Sequence, residues 1–344
     1  YDTISAALAD AQGGDTIQVS AGTYEEALSI NNSLTILGVN ADEDARTVDF
    51  TEEGTKVTGG IEITAGNVTL KGFTISVKGI LASNTSGLTI VNNKFEGIKA
   101  AVDGSPAGSI IGLDVTSATG PIEISQNRFS DIGVINGTGT AIRMVKAKGD
   151  ITITNNLIEN VTKNGLNLYS SCLANENAKL TITGNEISNW DSDKDAEDVG
   201  IGGRAIRIDF AGAHNSAAAE ITGNKLIPPA YEEGQTSVDE EYVKLTSVGI
   251  EVDLTKNYWG SEKPDFTTIL SVGGDKATEC AYMPYYTDRE MENLNEVIPD
   301  EGMFILSYPS KATLTDGHPE PDGCEAATFV GGGEVSLEAG NWYY

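Results

Sequence analysis

The sequence predicts an all-β solenoid, a fold in which short strands wind into stacked coils, and three observations support this prediction. One phrase recurs through the chain: apolar, polar, apolar, two spacers, Asn, one spacer, apolar. A second strand-like segment follows roughly half a repeat later. The chain is also rich in glycine, with 39 residues, which suits many tight turns. Repetition of a short unit that cannot bury its apolar face alone is typical of solenoids.

The recurring phrase reads as a strand followed by a bend. Its clearest copy spans residues 122–129, and an apolar-polar-apolar triplet has the two-residue period of a strand with one buried face. The asparagine of the bend tolerates a left-handed backbone, and its amide can hydrogen-bond to the next coil. We therefore expect an internal asparagine ladder, while Phe73 occupies the equivalent position in the first copy. The expected ladder residues are Asn93, Asn127, Asn156, Asn185, Asn224 and Asn257.

The second strand series gives the coil its architecture. Its members lie at residues 141–144, 165–168, 205–208 and 249–252. Two or three such strands per coil, stacked in parallel about 4.8 Å apart, make a right-handed parallel β-helix with a Val/Ile/Leu interior. On these repeats the chain resembles the pectate-lyase-like superfamily of parallel β-helix proteins, and in particular its extracellular bacterial surface members of undefined function. The resemblance covers roughly residues 1–290.

Both ends of the solenoid have sequence features of caps. Residues 2–11 predict a short helix with Asp2 as its N-cap and an apolar face that plugs the first coil. Residues 257–261 and 283–288 resemble aromatic segments that finish bacterial β-helix domains, so a hydrophobic cap is favoured over a sugar-stacking platform. Residues 1–290 are then the capped β-helix. Residues 291–344 form a C-terminal extension, either the start of another domain or a strand-rich appendage to one.

Composition limits the partners and the compartment. The chain has 51 acidic and 22 basic residues, a net charge of −29, and lacks the basic clusters that sequence-independent nucleic-acid binding needs. No apolar run reaches the length of a membrane span. Three cysteines allow at most one disulfide, for which Cys280 with Cys324 is favoured. A start at Tyr1 instead of Met indicates a removed signal peptide. The acidity and the family resemblance imply an extracellular or cell-surface location.

An acidic insertion after Trp190 suggests a calcium site. Alternating carboxylates can converge on one hard cation, and Ca²⁺ takes six to eight oxygen ligands. The EF-hand pattern is not met, because Ala196 and Gly202 stand where its turn glycine and bidentate glutamate are required. A solvated acidic loop is the alternative interpretation. The candidate ligands are Asp191, Asp193, Asp195 and Asp198.

The second strand series also predicts an outward-facing polar column. Its candidate binding residues are Asp103, Arg143, Asn167, Arg207 and Glu251. One interpretation is a ladder of ion pairs, Asp103 with Arg143 and Arg207 with Glu251. Another is a groove that contacts a glycan. The third is a lyase site, which the resemblance implies, with Arg143 or Arg207 neutralising a substrate carboxylate and Lys146 as the base.

The sequence therefore supports three functions. The first is an extracellular, noncatalytic module that binds a polysaccharide or another surface partner. The second is a polysaccharide lyase, since the catalytic motifs of polygalacturonases and pectin methylesterases are absent and the two histidines stand in unrelated contexts. The third is a structural part of a surface layer, stalk or filament. An acidic glycan would be repelled by the net charge unless Ca²⁺ or a local arginine strip offsets it.

Overall fold

The computed structural model describes residues 1–48, 50, 54–105, 108–134, 138–192, 202–229 and 241–295, with the backbone of two short strands at 324–325 and 342–343. Strands dominate this part of the chain, and two short helices lie at the ends of the repeat. The helices are α1 (Ile4–Asp10) and α2 (Phe266–Ile269), with a 3-10 turn at Ala277–Glu279. Neither α-helix is long enough to cross a bilayer.

The strands are short, and most have three to five residues. In the first half of the chain they are β1 (Thr16–Gln18), β2 (Gly22–Tyr24), β3 (Leu28–Ile30), β4 (Thr35–Leu37), β5 (Thr55–Val57), β6 (Ile61–Ile63), β7 (Val68–Lys71), β8 (Phe73–Lys78), β9 (Ile80–Ser83), β10 (Leu88–Val91), β11 (Lys94–Ala100), β12 (Ser109–Thr116), β13 (Ile122–Ser125), β14 (Arg128–Ile132) and β15 (Thr138–Val145). The remaining strands are β16 (Ile151–Thr154), β17 (Leu157–Val161), β18 (Asn164–Tyr169), β19 (Lys179–Thr183), β20 (Glu186–Ser188), β21 (Ile206–Asp209), β22 (Ala218–Thr222), β23 (Lys225–Ile227), β24 (Val243–Thr246), β25 (Glu251–Asp253), β26 (Leu270–Val272), β27 (Tyr285–Tyr286), β28 (Leu294–Asn295), β29 (Cys324–Glu325) and β30 (Trp342–Tyr343).

Three long parallel sheets confirm the predicted parallel β-helix. Sheet A has the order β1-β4-β7-β10-β13-β16-β19-β22-β25, and sheet B has the order β2-β5-β8-β11-β14-β17-β20-β23. Sheet C has the order β3-β6-β9-β12-β15-β18-β21-β24-β26. Each coil contributes one strand to A, then B, then C, except that the last coil joins sheet B only through a bridge between Tyr258 and Lys225. Consecutive coils therefore stack strand on strand.

The inward-facing residues form one continuous core. Ile124 and Ile153 pair across β13 and β16, and both are fully buried. In sheet B, the rings of Phe95 and Phe129 stack with centroids 4.3 Å apart. Each coil buries its apolar side chains against the coils above and below it, which offsets the cost of ordering strands too short to stand alone.

The predicted asparagine ladder is confirmed. The Oδ1 atom of Asn127 accepts from the backbone N–H of Asn93 at 2.9 Å and from its Nδ2 at 3.2 Å. The Nδ2 atom of Asn127 in turn donates to the Ile90 carbonyl at 2.8 Å. The same pattern continues to Asn257, and all six side chains are buried. The left-handed residue is the one before each ladder asparagine, such as Gln126 with φ 56, and not the asparagine itself as expected.

The N-terminal helix covers the first coil, as predicted. Its apolar face buries Ile4 and Leu8 in the core. Thr3, not Asp2, is the N-cap, because its Oγ1 accepts from the N–H of Ala6 at 3.1 Å. The Glu26 carboxylate accepts two further N–H groups of the first turn, from Ile4 and Ser5.

Aromatic residues close the other end, as the cap interpretation predicted. Trp259, Tyr282 and Tyr285 are buried, and the Phe266 ring packs against all three. Their faces are therefore not free for sugar stacking. Beyond them, β27 and β28 pair antiparallel and begin a small C-terminal β extension. Of the predicted extension at residues 291–344, the structure describes residues 291–295 and the backbone of β29 and β30.

The cysteines do not follow the favoured pairing. Cys172 and Cys280 are buried free thiols, so Cys280 is not half of a disulfide in this structure. The side chain of Cys324 lies outside the described residues. Burial raises the pKa of the Cys280 thiol to about 11, with a smaller contribution from the neighbouring Glu279 carboxylate. The thiol is thus protonated at neutral pH and packs as a small apolar group.

Candidate functional site

The predicted polar column exists on the outward face of sheet C, but two of its five members were assigned wrongly. Arg143, Asn167 and Arg207 are register partners on consecutive coils. From the first coil to the last, the column consists of Ser29, Glu62, Leu81, Asp114, Arg143, Asn167, Arg207, Lys244 and Ser271.

Asp103 does not belong to the column. It lies in a turn after β11, is exposed, and its carboxylate is 3.5 Å from the Lys78 ammonium. Asp114 takes the place on the coil before Arg143. The prediction failed because β11 is lengthened by register shifts and the true strand starts at Ser109, several residues later than the repeat suggested.

Glu251 lies on another sheet. It pairs with Ala218 in sheet A, whereas Lys244 occupies the coil after Arg207. The segments 243–246 and 249–252 both alternate apolar and polar residues, so their local pattern fits either sheet. Because Lys244 follows Arg207 in the column, and Glu251 does not, two positively charged side chains lie on adjacent coils.

Arg143 is engaged in a buried ion pair. Its Nε and Nη2 atoms donate to the two oxygens of Asp114 at 2.9 and 2.5 Å, and its Nη1 lies 3.4 Å from the Tyr169 hydroxyl. The side chains of Arg143 and Asp114 are only 11% and 2% exposed. This supports the ion-pair ladder at these two coils. The Arg143 guanidinium is therefore not free to neutralise a substrate carboxylate.

Lys146 occupies a corner of the coil. Its φ is 57°, and its N–H donates to the Tyr169 carbonyl at 3.4 Å. Ser117 and Ser170 hold the same left-handed conformation at the corners of neighbouring coils. The Lys146 side chain is exposed, and Lys146 lies in the turn that connects sheets C and A. No measured contact in the described part of the chain links it to Arg143 or Arg207.

Arg207 differs from the other arginines. The sequence contains six arginines, and five have a carboxylate oxygen within 2.9 Å. Arg207 is exposed and has no ion pair or hydrogen bond to any residue that the structure describes. Its register neighbours are Asn167 and Lys244. In a chain with a net charge of −29, a solvent-facing guanidinium without a carboxylate is the clearest candidate for contact with an external anion.

Lys244 is partly neutralised by a neighbouring cluster. Its ammonium is 3.1 Å from Glu241, which also accepts from Arg204 at 2.6 Å. Burial raises the pKa of the Glu241 carboxyl, but hydrogen bonds from Arg204 and Lys244 outweigh this and hold the pKa below its ordinary value. The Arg204–Glu241–Lys244 cluster connects the segments that lead into β21 and β24, next to Arg207. Sequence spacing could not reveal it, because Arg204 and Glu241 lie on different coils.

Sheet A presents a different surface. One of its outward columns is made of hydroxyls and carboxylates, and the Lys179 ammonium lies 3.3 Å from the Glu220 carboxylate of this column. The members are Thr16, Thr35, Thr69, Thr89, Glu123, Thr152, Thr181, Glu220 and Asp253. The middle residue of each repeated triplet was expected to face water, and this is confirmed for sheet A. The result is a regular polar wall along the rod.

The proposed calcium ligands are only partly described. Asp191 is buried with a left-handed φ of 53°, whereas Asp193, Asp195 and Asp198 lie outside the described residues. Within the described ranges, no three His, Cys, Asp or Glu side chains are grouped to hold a metal. The calcium site therefore stays a prediction.

Comparison with known proteins gives one informative match. No protein-family model matches the chain, and neither does any solved structure. One curated relative is the S-layer protein EA1 of Bacillus anthracis, which is 22% identical over 245 residues. The match covers 70% of this chain and 26% of the relative, so the chain spans about a quarter of that protein's length. The chain is thus a parallel β-helix whose repeats are similar in sequence to a stretch of an S-layer protein.

Proposed function

We propose that the chain is a structural module of a cell-surface layer, in which the β-helix acts as a rigid spacer. The observation that carries this proposal is the unbroken ladder of nine strands in sheet A, wound into a solenoid capped by α1 and an aromatic cluster. Because neighbouring strands lie about 4.8 Å apart, this sheet extends over roughly 40 Å. The similarity to an S-layer protein supports a place at the cell surface.

The distribution of polar interactions also favours a scaffold. The Asn ladder and the Arg143–Asp114 pair connect adjacent coils, and both are buried. Such contacts fix the register of the stack and resist its bending or slipping. The polar wall of sheet A and the net charge of −29 keep the rod soluble before it assembles with other copies.

Charge suggests how such rods assemble. Two copies repel each other at low ionic strength, and the repulsion is screened within about 10 Å at 0.1 M salt. Lateral association should therefore increase with salt and, more strongly, with Ca²⁺, which can bridge carboxylates such as Glu123, Glu220 and Asp253 along sheet A. A surface layer formed in this way would dissolve in a chelator.

The test combines location with assembly. Antibodies against the purified chain should label the surface of intact producing cells by immunogold electron microscopy. Negative-stain images and sedimentation of the purified chain should show ordered strings or sheets on addition of calcium, and single rods after chelation. Label confined to the cell interior, together with single rods under all conditions, would refute the structural proposal.

Binding of an acidic surface glycan is a second candidate function, favoured by the exposed Arg207, which has no ion pair or hydrogen bond among the described residues. A guanidinium can hold a carboxylate by two parallel hydrogen bonds, and Asn167 stands one coil away as a further hydrogen-bonding group. A lyase is not favoured, because Arg143 is already bound to Asp114, and no contact among the described residues brings Lys146, the candidate base, to Arg207.

Titration calorimetry with acidic oligosaccharides tests this second function. Arg207→Ala should weaken binding roughly tenfold or more, the effect expected for losing a charged hydrogen bond. Arg289→Ala is the matched control, since it removes one exposed positive charge that already has the Glu186 carboxylate as its partner. Equal affinity in both variants would rule out the sheet C site.

A further inference from the structure

At the N-terminal edge of sheet A, no described residue pairs with the outer side of β1. Strand β1 is the end strand of the sheet and has β4 as its neighbour. Every second residue of β1 directs its backbone hydrogen bonds to β4. The Asp15 carbonyl accepts from Thr35 N–H at 3.0 Å, and Val19 N–H donates to the Leu37 carbonyl at 2.8 Å. In a parallel pair, the intervening residues point their N–H and C=O groups to the other side. The backbone groups of Thr16 and Gln18 therefore face away from β4.

The helical cap protects a different edge. Helix α1 packs against β3, the first strand of sheet C, and its first turn is held by the Glu26 carboxylate. At the far end of sheet A, Leu254 N–H donates to the Ala281 carbonyl at 2.7 Å, which covers the last strand. Among the described residues, β1 is thus the end of sheet A without a covering segment. Thr16 and Gln18 are both exposed.

A cavity of about 470 Å³ lies directly against this edge. One wall is the segment 16–20 with the Tyr24 ring, and the other is the side of α1 that carries Ile4, Ala7 and Ala11. Asp10 and Asp15 line the same cavity, and the Tyr1 hydroxyl donates to the Asp10 carboxylate. The cavity beside the free backbone groups is therefore bounded by the largely buried apolar side of α1 and has an acidic rim.

We propose that β1 is a docking edge for an extended peptide segment of a partner protein, added to sheet A as one more strand. Backbone hydrogen bonds to Thr16 and Gln18 hold the segment. Alternate apolar side chains enter the cavity beside Ile4 and Ala7, and basic side chains meet Asp10 and Asp15. Strand addition of this kind takes its affinity from the main chain and its specificity from pockets for alternate side chains.

Charge decides between the possible occupants. A second copy of this chain carries the same net charge of −29 and would bring further carboxylates to an acidic rim. A segment in which Val or Ile alternates with Lys or Thr complements both the apolar wall and the rim. The occupant is thus a basic, strand-forming segment of a different protein. The inference rests on the edge geometry and does not depend on the proposed function.

The experiment uses the full chain and fluorescein-labelled peptides of seven residues that alternate Val or Ile with Lys or Thr. Fluorescence anisotropy should show saturable binding that weakens as salt is added. The control ligand is the same peptide, N-methylated at every second residue. It keeps the side chains but cannot donate the backbone hydrogen bonds that would add it to sheet A. We expect binding to fall at least tenfold with the methylated peptide.

Two variants of one residue test the edge itself. Gln18→Pro removes an N–H that does not bond to β4, and proline is tolerated on an edge strand in that orientation. We expect Gln18→Pro to weaken binding at least tenfold and Gln18→Thr to change it less than twofold. Equal affinity of the two variants overturns the proposal, as does equal binding of the methylated peptide.

Self-association is followed in the same samples. If the unmodified chain sediments as a dimer that Gln18→Pro converts to monomers, the occupant is a second copy and the proposal of a basic partner is wrong. If Gln18→Pro fails to fold, as judged by its circular dichroism, the methylated peptide on the unmodified chain decides the outcome. Failure of every alternating peptide to bind overturns the inference but leaves calcium-dependent assembly of the rods untouched.

Discussion

Arg143 and Asp114 form a bidentate ion pair between adjacent coils on the outward face of sheet C, and both side chains are nevertheless buried. A buried ion pair is weak support for stability, because the loss of hydration offsets most of the attraction. Breaking such a pair is a different matter, since one charge is then left in the interior without its partner.

The first prediction concerns this pair. Asp114→Ala should lower the free energy of unfolding by about 3–5 kcal/mol, because it leaves the Arg143 guanidinium buried and uncompensated. The double variant Asp114→Leu with Arg143→Met should be close to the unmodified chain, since both charges are gone and the volume is kept. Urea denaturation measures both. A cost below about 1 kcal/mol for Asp114→Ala would mean that the pair is hydrated in solution.

The second prediction concerns the middle of the asparagine ladder. Asn156→Ala removes the acceptor for the N–H and the Nδ2 of Asn127, and the donor for the Ile124 carbonyl. The Nδ2 of Asn127 keeps the Ile90 carbonyl as an acceptor, so two buried groups lose their partner. At about 1–3 kcal/mol for each group, a loss of about 2–6 kcal/mol is expected. Asn175→Ala is the control, because the Asn175 side chain is exposed and makes one long hydrogen bond, to the Thr119 carbonyl. Similar urea midpoints for the two variants would contradict the structural role of the ladder.

The third prediction is a pH dependence from Glu241. Its folded-state pKa lies below the ordinary value of 4.5, because hydrogen bonds from Arg204 and Lys244 outweigh the effect of burial. Between the folded-state pKa and pH 4.5, the unfolded state therefore binds more protons than the folded state. The stability that Glu241 contributes is complete above about pH 4.5 and is lost as the pH falls through the folded-state pKa.

Melting temperatures measured between neutral and acidic pH test this linkage. Glu241→Gln should melt below the unmodified chain at neutral pH, and the difference should shrink as the carboxyl is protonated. Asp103→Asn is the control, since the Asp103 carboxylate is exposed and makes only a distant pair with Lys78. A Glu241→Gln difference that is constant across the pH range would show that the carboxylate charge is not responsible.

The fourth prediction concerns calcium. If the acidic segment after Trp190 binds Ca²⁺, calcium should raise the melting temperature in proportion to the logarithm of its concentration, and a chelator should reverse the rise. Asp191→Asn should abolish the effect. Asp103→Asn, which removes an exposed carboxylate in the turn after β11, should not. Identical melting with and without chelator would remove the metal site from consideration.

The sequence by itself determined the solenoid, its repeat and its interior. The apolar triplets fix which face of each strand is buried, because the side-chain period of a strand is two. The regular asparagines fix where each coil bends, since each buried amide hydrogen-bonds to the asparagine of the next coil and to backbone carbonyls. The capping roles of α1 and of the terminal aromatic residues follow from the same local patterns.

Only the tertiary structure decided which strand belongs to which sheet. Glu251 and Lys244 lie in segments with the same alternation, and the register alone places Lys244 beside Arg207. Asp114 replaces Asp103 for the same reason, because loops of unequal length shift where the next strand begins. Coil-to-coil pairing is set by backbone hydrogen bonds between residues far apart in sequence. The sign of the charge beside Arg207 was therefore decided by how the coils stack, and local pattern carries no record of it.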